Sequence, residues 1–400
     1  MRATPTLAFL LALPLTATAQ DAQLHGFVDA RLVSPSGETS SSEGGFGKTR
    51  YGDEDPAGVR LGGIALEGRW QATPSLLAFA DARFDLDDEP RGQLIEAWLR
   101  WRPVSTSAWR GSLKGGEFFP AISLENEGIG WTPLWTLTPS AINTWVGEEL
   151  RSFGAEARVE HRGESQSLEA AASVFEMGDP AGELLAQRGW ALSDHLYGLG
   201  GRTREPDALG TFGYTVPRHY DPFQEIDHRV GWTGELTWRA PEYGRVTLLR
   251  YDNDAKPDTH SDGAEPVFAW HTYFWSLAGE TQLGPVTLIA QGMQGDTYVD
   301  APFFDSETSF NAAFLLAGWD FAPFRAALRL EGFSTATDPP SSASEHGNAA
   351  TAAFSWRARE HLRVTAEVLR VDSVREERTL TGEAARAIEW QEQLAVKLLF

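Results

Sequence analysis

The chain closes on Trp390-Gln391-Glu392-Gln393-Leu394-Ala395-Val396-Lys397-Leu398-Leu399-Phe400. Counting back from Phe400 in twos gives Leu398, Val396 and Leu394, then Glu392 as the one miss, then Trp390. The alternate positions are Leu399, Lys397, Ala395, Gln393 and Gln391. Successive side chains of a β-strand point to opposite faces, so this stretch reads as a strand with one apolar and one mostly polar face.

The same period recurs along the chain. About sixteen segments of roughly ten residues alternate in this way, the spacing of strands that each cross a bilayer once. They are 24–33, 59–70, 76–86, 93–102, 111–119, 150–161, 168–177, 229–239, 245–252, 268–283, 286–297, 310–321, 324–334, 349–357, 362–371 and 388–400. No stretch shows a helical period.

The gaps alternate between short and long. Short gaps are 71–75, 162–167, 240–244, 284–285, 322–323 and 358–361. Long gaps are 34–58, 120–149, 178–228, 255–267, 298–309, 335–348 and 372–387, with 87–92 a short member of the long set. Short turns at one end and long loops at the other are the pattern of a transmembrane barrel. An even strand number then returns both chain ends to the short-turn side. The expected fold is therefore all-β: a transmembrane antiparallel β-barrel of about sixteen strands, within a range of fourteen to eighteen. A soluble sandwich with one wet face is the competing architecture, but sandwiches rarely alternate loop length over so many hairpins.

Face assignment follows from charge. Phe324, Ala326, Leu328 and Leu330 oppose Arg325, Ala327, Arg329 and Glu331. Ala78, Ala80, Ala82 and Phe84 oppose Asp81, Arg83 and Asp85. Leu362, Val364, Ala366 and Val368 oppose Arg363, Thr365 and Glu367. An Arg at lipid depth costs ~2–4 kcal/mol, so the charged face looks into the lumen. The expected lumen charges are Arg31, Asp81, Arg83, Asp85, Glu96, Arg100, Lys114, Glu156, Arg158, Arg325, Arg329, Glu331, Arg363 and Glu367. Trp70, Trp101, Trp238, Trp319 and Trp390 near strand ends suit an interfacial girdle.

Composition narrows the function. The 400 residues carry a formal charge of -22 and no Cys. That excludes disulfides and thiol chemistry, and it argues against a nucleic-acid partner. At the other end, Arg2 precedes the apolar run 7–15, and Ala17-Thr18-Ala19 fits a small-x-small cleavage site. Residues 1–19 are expected to be a secretory signal, leaving 20–400 as a single barrel domain. Asp252-Asn253-Asp254 with Asp258 and Asp262 lacks the Gly and closing Glu of a calcium loop. No spaced His set and no His-Glu-x-x-His occur, and Gly-x-Ser-x-Gly is absent. No metal, cofactor or catalytic residue is expected.

Two resemblances sharpen the reading. The terminal strand, with Phe400, Leu398 and Val396, resembles the assembly signal of bacterial outer-membrane barrels, which implies the barrel-assembly machinery as a partner. Gly115-Gly116-Glu117-Phe118-Phe119-Pro120-Ala121-Ile122-Ser123-Leu124-Glu125-Asn126 is followed by Ser140-Ala141-Ile142-Asn143-Thr144-Trp145-Val146-Gly147-Glu148-Glu149-Leu150-Arg151, then by Gly154 and Glu156. This segment resembles Gram-negative porins of the phosphate- and carbohydrate-selective type. The resemblance implies passive diffusion of small hydrophilic solutes or ions across an outer membrane of lipid and lipopolysaccharide, and commonly a homotrimer. It also implies a third loop, 120–149, that folds inward as a constriction. There Glu125, Glu127, Glu148 and Glu149 would supply negative charge, and Trp131, Trp135 and Trp145 stacking surfaces. The lysines are only Lys48, Lys114, Lys256 and Lys397, a departure from phosphate-selective porins, which concentrate Lys and Arg along the pore. Two other classes stay open: a plugged or adhesive barrel, and an outer-membrane enzyme such as a lipase. An outward His beside a Ser at the loop-side lipid boundary would mark the enzyme. Conduction would separate the plugged class.

Overall fold

The computed structural model describes residues 22–400 apart from 89, 209–217, 264, 302–303 and 339–342. The expected signal segment lies outside the described residues. Sixteen antiparallel strands form one closed barrel in which each strand pairs with its sequence neighbours and the last pairs with the first. They are β1 (Ala22–Ser36), β2 (Gly58–Thr73), β3 (Leu76–Phe84), β4 (Gly92–Trp101), β5 (Trp109–Phe118), β6 (Ser152–Arg162), β7 (Ser167–Glu176) and β8 (Gly231–Ala240). The second half holds β9 (Gly244–Asp252), β10 (His271–Leu283), β11 (Val286–Ala301), β12 (Phe304–Phe321), β13 (Phe324–Asp338), β14 (Glu345–Arg359), β15 (Leu362–Arg375) and β16 (Arg386–Leu399). All sixteen expected segments fall on these strands in order. No helix among the described residues is long and apolar enough to cross a membrane.

Closure uses the terminal residue. β1 pairs with β16 from Phe27 opposite Leu399 to Ser36 opposite Trp390. Beyond that register the Gly26 amide donates to the Phe400 carbonyl at 2.9 Å, and the Phe400 amide returns the bond to Gly26 at 3.1 Å. A β-carbon at Gly26 would lie 2.5 Å from the Phe400 ring, so the glycine is what seats the aromatic terminus. Full closure leaves no barrel edge unpaired, the condition for placing a sheet in lipid.

The faces sort as the charge argument requires. Leu328 and Leu330 are about half exposed on the outer wall, whereas Arg329 and Glu331 between them are buried in the lumen. Leu394, Val396 and Leu398 face out, and Gln391, Gln393 and Ala395 face in. Glu392 is exposed on the outer face, two residues below Trp390. Trp70, Trp101, Trp319 and Trp390 are exposed on the outer wall.

Two loop expectations need correction. Segment 298–309, expected as a long loop, is mostly strand: β11 runs to Ala301 and β12 starts at Phe304. Segment 335–348 likewise gives most of its length to β13 and β14. The cause is loss of the hydrophobic alternation, not of the strand. Outward positions there are Asp296, Tyr298, Asp300, Asp305, Glu307 and Ser309, so the ladder continues while its outer face turns polar. The expectation of no helix also fails. Helix α1 (Ala141–Glu149) has all nine residues buried, so it carries no polar stripe to reveal its period. A shorter helix, α2 (Glu183–Gln187), lies in the loop between β7 and β8.

Candidate functional site: the occupied lumen

The loop between β5 and β6 runs inside the barrel. It is tied to the inner wall by side chains that alternation alone placed in the lumen. Arg329 on β13 donates to Glu125 at 2.5 Å, to the Thr138 carbonyl at 2.8 Å and to the Pro139 carbonyl at 3.0 Å, while also bonding Glu331 at 2.8 Å. Glu331 accepts from the Ala141 amide at 2.8 Å. Glu367 on β15 accepts from the Thr138 hydroxyl at 2.7 Å and from the Leu137 amide at 2.5 Å. Arg325 donates to the Leu134 carbonyl at 2.9 Å and lies over the Trp135 ring. Ser140 caps α1 by accepting from the Asn143 amide, and its own amide donates to Glu125.

The residues expected in the constriction are therefore placed as follows. Glu125 is fully buried against Arg329. Glu148 is buried in an ion pair with Arg188 of the following long loop at 2.5 Å. Glu149 is buried and accepts from the Trp145 indole, the Gly182 and Leu184 amides and the Tyr220 hydroxyl. Glu127 alone is exposed, pairing with Arg245 at 2.6 Å. Trp131 stacks on Phe119 with ring centroids 4.0 Å apart, and Trp135 is buried. Trp145 meets Phe274 and Phe310 edge-on, at 5.5 and 5.2 Å. Around it Ile142, Val146, Leu185, Trp190, Phe314 and Phe333 form a dry core. So where a wide water-filled pore would need space, the region enclosed by β10–β15 holds packed side chains.

The opposite side of the lumen is polar. Arg50 pairs with Asp85 at 2.8 Å and with Asp194 at 3.1 Å. Asp194 meets Arg31 at 2.7 Å, and Arg31 meets Asp29 at 2.8 Å. Burial works against ionisation of Asp194, yet Arg31 and Arg50 hold it well below the usual carboxylate range. Glu67 and Glu96 each stand opposite Asp81 in the strand register, and Arg83 is buried two residues along the same face. Glu67 bonds Arg69 at 2.9 Å, whose guanidinium lies over Phe79. Phe79 stacks on Trp98 at 4.8 Å, and Arg100 reaches over Trp98.

That seam ends in a cavity of about 400 Å³ in the short-turn half of the barrel. Arg100, Lys114, Glu156 and Arg158 line it with Arg102, Arg110 and Arg239. Lys114 and Arg158 share Glu156 at 3.1 and 3.2 Å. Arg363 lines a smaller recess beside Asp320 and Arg325. Sequence reasoning missed Arg50, Arg188 and Asp194. They sit in loops, where no period assigns a face, and only the fold brings them to the wall.

The enzyme class would show an outward His beside a Ser at the loop side of the wall. His271 does face outward at the loop side. Its two ring nitrogens are engaged by Asp252 at 2.9 Å and by the Tyr298 hydroxyl at 2.8 Å, not by a Ser. His346 also faces outward there and stands opposite the outward Ser334 in the strand register, and the Ser334 hydroxyl accepts from the Asn311 side-chain amide at 2.8 Å.

No family model matches the chain, and no curated protein matches it. Solved structures do. A loop-deletion mutant of OmpT, an outer membrane protein of Vibrio cholerae, superposes with a TM-score of 0.55 at 10% identity, covering 96% of this chain and 100% of that one. The outer membrane channel DcaP of Acinetobacter baumannii gives 0.55 at 12%, covering 95% and 97%. An anion-selective porin from Comamonas acidovorans gives 0.52 at 10%, covering 95% and 99%. Together with the closed sixteen-strand ladder, these likenesses establish that the chain has the fold of an outer-membrane porin barrel.

Proposed function

We propose that this protein is a narrow porin of a Gram-negative outer membrane, passing small hydrophilic solutes or ions along the polar seam of β1–β6. The observation that supports it is the partition of the lumen. Apolar packing occupies the β10–β15 side, while charged side chains run from Arg50 at the long-loop end through Arg31 and Arg69 to Arg100 at the other. A row of fixed charges of both signs gives a permeating solute successive partners in place of its hydration shell. The inward loop narrows the route, with Glu127 its exposed carboxylate. The mature barrel would be assembled by the barrel-assembly machinery into lipid and lipopolysaccharide, with a homotrimer as its expected state.

A plugged barrel is the second reading, and one observation favours it. Asp29, Arg31, Asp81, Arg83 and Asp85 on the seam are each at most 5% exposed. Swelling of liposomes carrying the refolded protein separates the two. Swelling in small sugars or amino acids that falls off steeply with solute size supports the narrow porin. No swelling from correctly folded barrels would establish the plug.

A further inference from the structure

The short-turn end of the seam carries charge that the barrel itself does not answer. Six cationic side chains and three carboxylates line the cavity of about 400 Å³ there, in a chain whose formal charge is -22. Three of the cations are satisfied. Lys114 bonds Glu156, Arg158 is shared by Glu156, Glu169 and Glu235, and Arg239 bonds Glu169. The guanidinium groups of Arg100, Arg102 and Arg110 make no ion pair or hydrogen bond among the described residues, and Arg100 only lies over the Trp98 ring. Arg100 and Arg110 are half-buried and Arg102 is exposed, so their unbonded donors keep surface on the cavity they line. Glu160 stands opposite Arg110 in the strand register, with no ion pair between them.

The strand register sets these three in a row. Arg100 on β4 stands opposite Lys114 on β5, and Arg110 lies four residues further along β5 on the same face, ~13 Å from that level at ~3.3 Å per residue. Arg102 comes between them. It follows the last pair of the β4–β5 ladder, and its amide donates to the Ser75 carbonyl at 2.7 Å, which fixes its backbone. Like charges crowded into a walled cleft attract anions to it. Each guanidinium fork matches the two oxygens of one carboxylate. A compact anion such as phosphate reaches one part of the row, whereas a short chain bearing several carboxylates meets the forks in turn. We propose that this cavity is a binding site for a small polycarboxylate at the short-turn mouth of the barrel. The proposal deepens the narrow-porin reading by naming a class of solute, and rests on it only for the solute's passage. Binding itself needs only the folded barrel.

The test is calorimetric titration of the refolded mature barrel in detergent with citrate, acetate and inorganic phosphate. Salt at ~0.15 M limits diffuse attraction to ~8 Å and leaves close pairing in place. Citrate should bind, with acetate and phosphate at least tenfold weaker. An Arg102→Gln/Arg110→Gln double variant, which removes no ion pair, should raise the citrate Kd at least tenfold. Heat-modifiable mobility on gels verifies that it folds. Absence of citrate binding overturns the proposal, as does an unchanged Kd in the folded variant. Phosphate or acetate binding as tightly as citrate overturns the assignment of a polycarboxylate. A barrel that binds citrate but never conducts would sink the channel reading and leave this one standing; one that conducts without binding citrate would do the reverse.

Discussion

Replacing Arg329 by Met tests whether the inward loop is held by one buried cation. The guanidinium is fully buried and bonds two carboxylates, Glu125 and Glu331, together with the carbonyls of Thr138 and Pro139 and the Thr351 hydroxyl. Met preserves the packing volume of the stem and removes all of these bonds, together with a longer one to the Thr136 hydroxyl at 3.3 Å. Breaking a buried ion pair from one side typically costs ~3–5 kcal/mol, because the surviving charge is left without compensation. Here two carboxylates survive, and each keeps backbone amide donors, Glu331 from Ala141 and Glu125 from Ser140. The expected loss is therefore ~3–5 kcal/mol and not twice that. Urea unfolding of the barrel in lipid vesicles reads it directly. Arg329→Lys keeps the charge and loses the fork, so it should fall between the two. The loosened loop should also raise single-channel conductance. An Arg329→Met barrel that unfolds within ~1 kcal/mol of the wild type would refute the claim that this pair anchors the loop.

Four further outcomes follow from the same structure. Trp145→Ala empties the centre of the dry core and should destabilise the barrel by ~3–5 kcal/mol in the same unfolding assay. Gly26→Val puts side-chain atoms where the Phe400 ring sits, and pulse-chase assembly should show a smaller heat-modifiable fraction than wild type. Leu330→Arg places a cation on the lipid face and should cost ~2–4 kcal/mol, whereas Arg at the lumen-facing Ser112 beside the open cavity should cost far less. Burial, with Glu149 adding to it and Arg188 opposing, pushes the Glu205 carboxyl up to about 8. The folded state then binds the proton more tightly than the unfolded chain. Its stabilising effect is full at acid pH and is lost as pH rises from about 4.5 to about 8. Glu205→Gln should flatten the stability profile across that window in pH-stepped unfolding.

The strands were legible because lipid on one side and charge on the other impose period two wherever a strand crosses the belt. Arg329 between Leu328 and Leu330 shows it: neither face could be exchanged without placing Arg in lipid. Where β11 and β12 rise above the belt, the outer face turns polar while Val299 and Ala301 stay buried on the inner one, so no lipid-facing period remains, and Asp300 and Asp305 read as loop although they pair in the ladder. Helix α1 was illegible for the converse reason. Buried on every side, it offers Asn143, Thr144, Glu148 and Glu149 to partners that only the closed barrel supplies. The candidate site was half legible. Alternation placed Arg31, Arg83, Glu331 and Glu367 in the lumen, but their partners Asp194, Ala141 and Thr138 come from loops distant in sequence. Nothing in the local pattern of Glu125 or Glu148 distinguishes a wet pore carboxylate from one buried in an ion pair.

The most direct test of the account is single-channel recording of the refolded mature protein in a planar bilayer, with reversal potentials in a salt gradient. The narrow seam predicts small discrete steps, and an ion preference that shifts when Arg100 and Lys114 at its open end are neutralised. A folded, heat-modifiable barrel that never conducts would contradict the porin reading, and would make the two inward loops a plug.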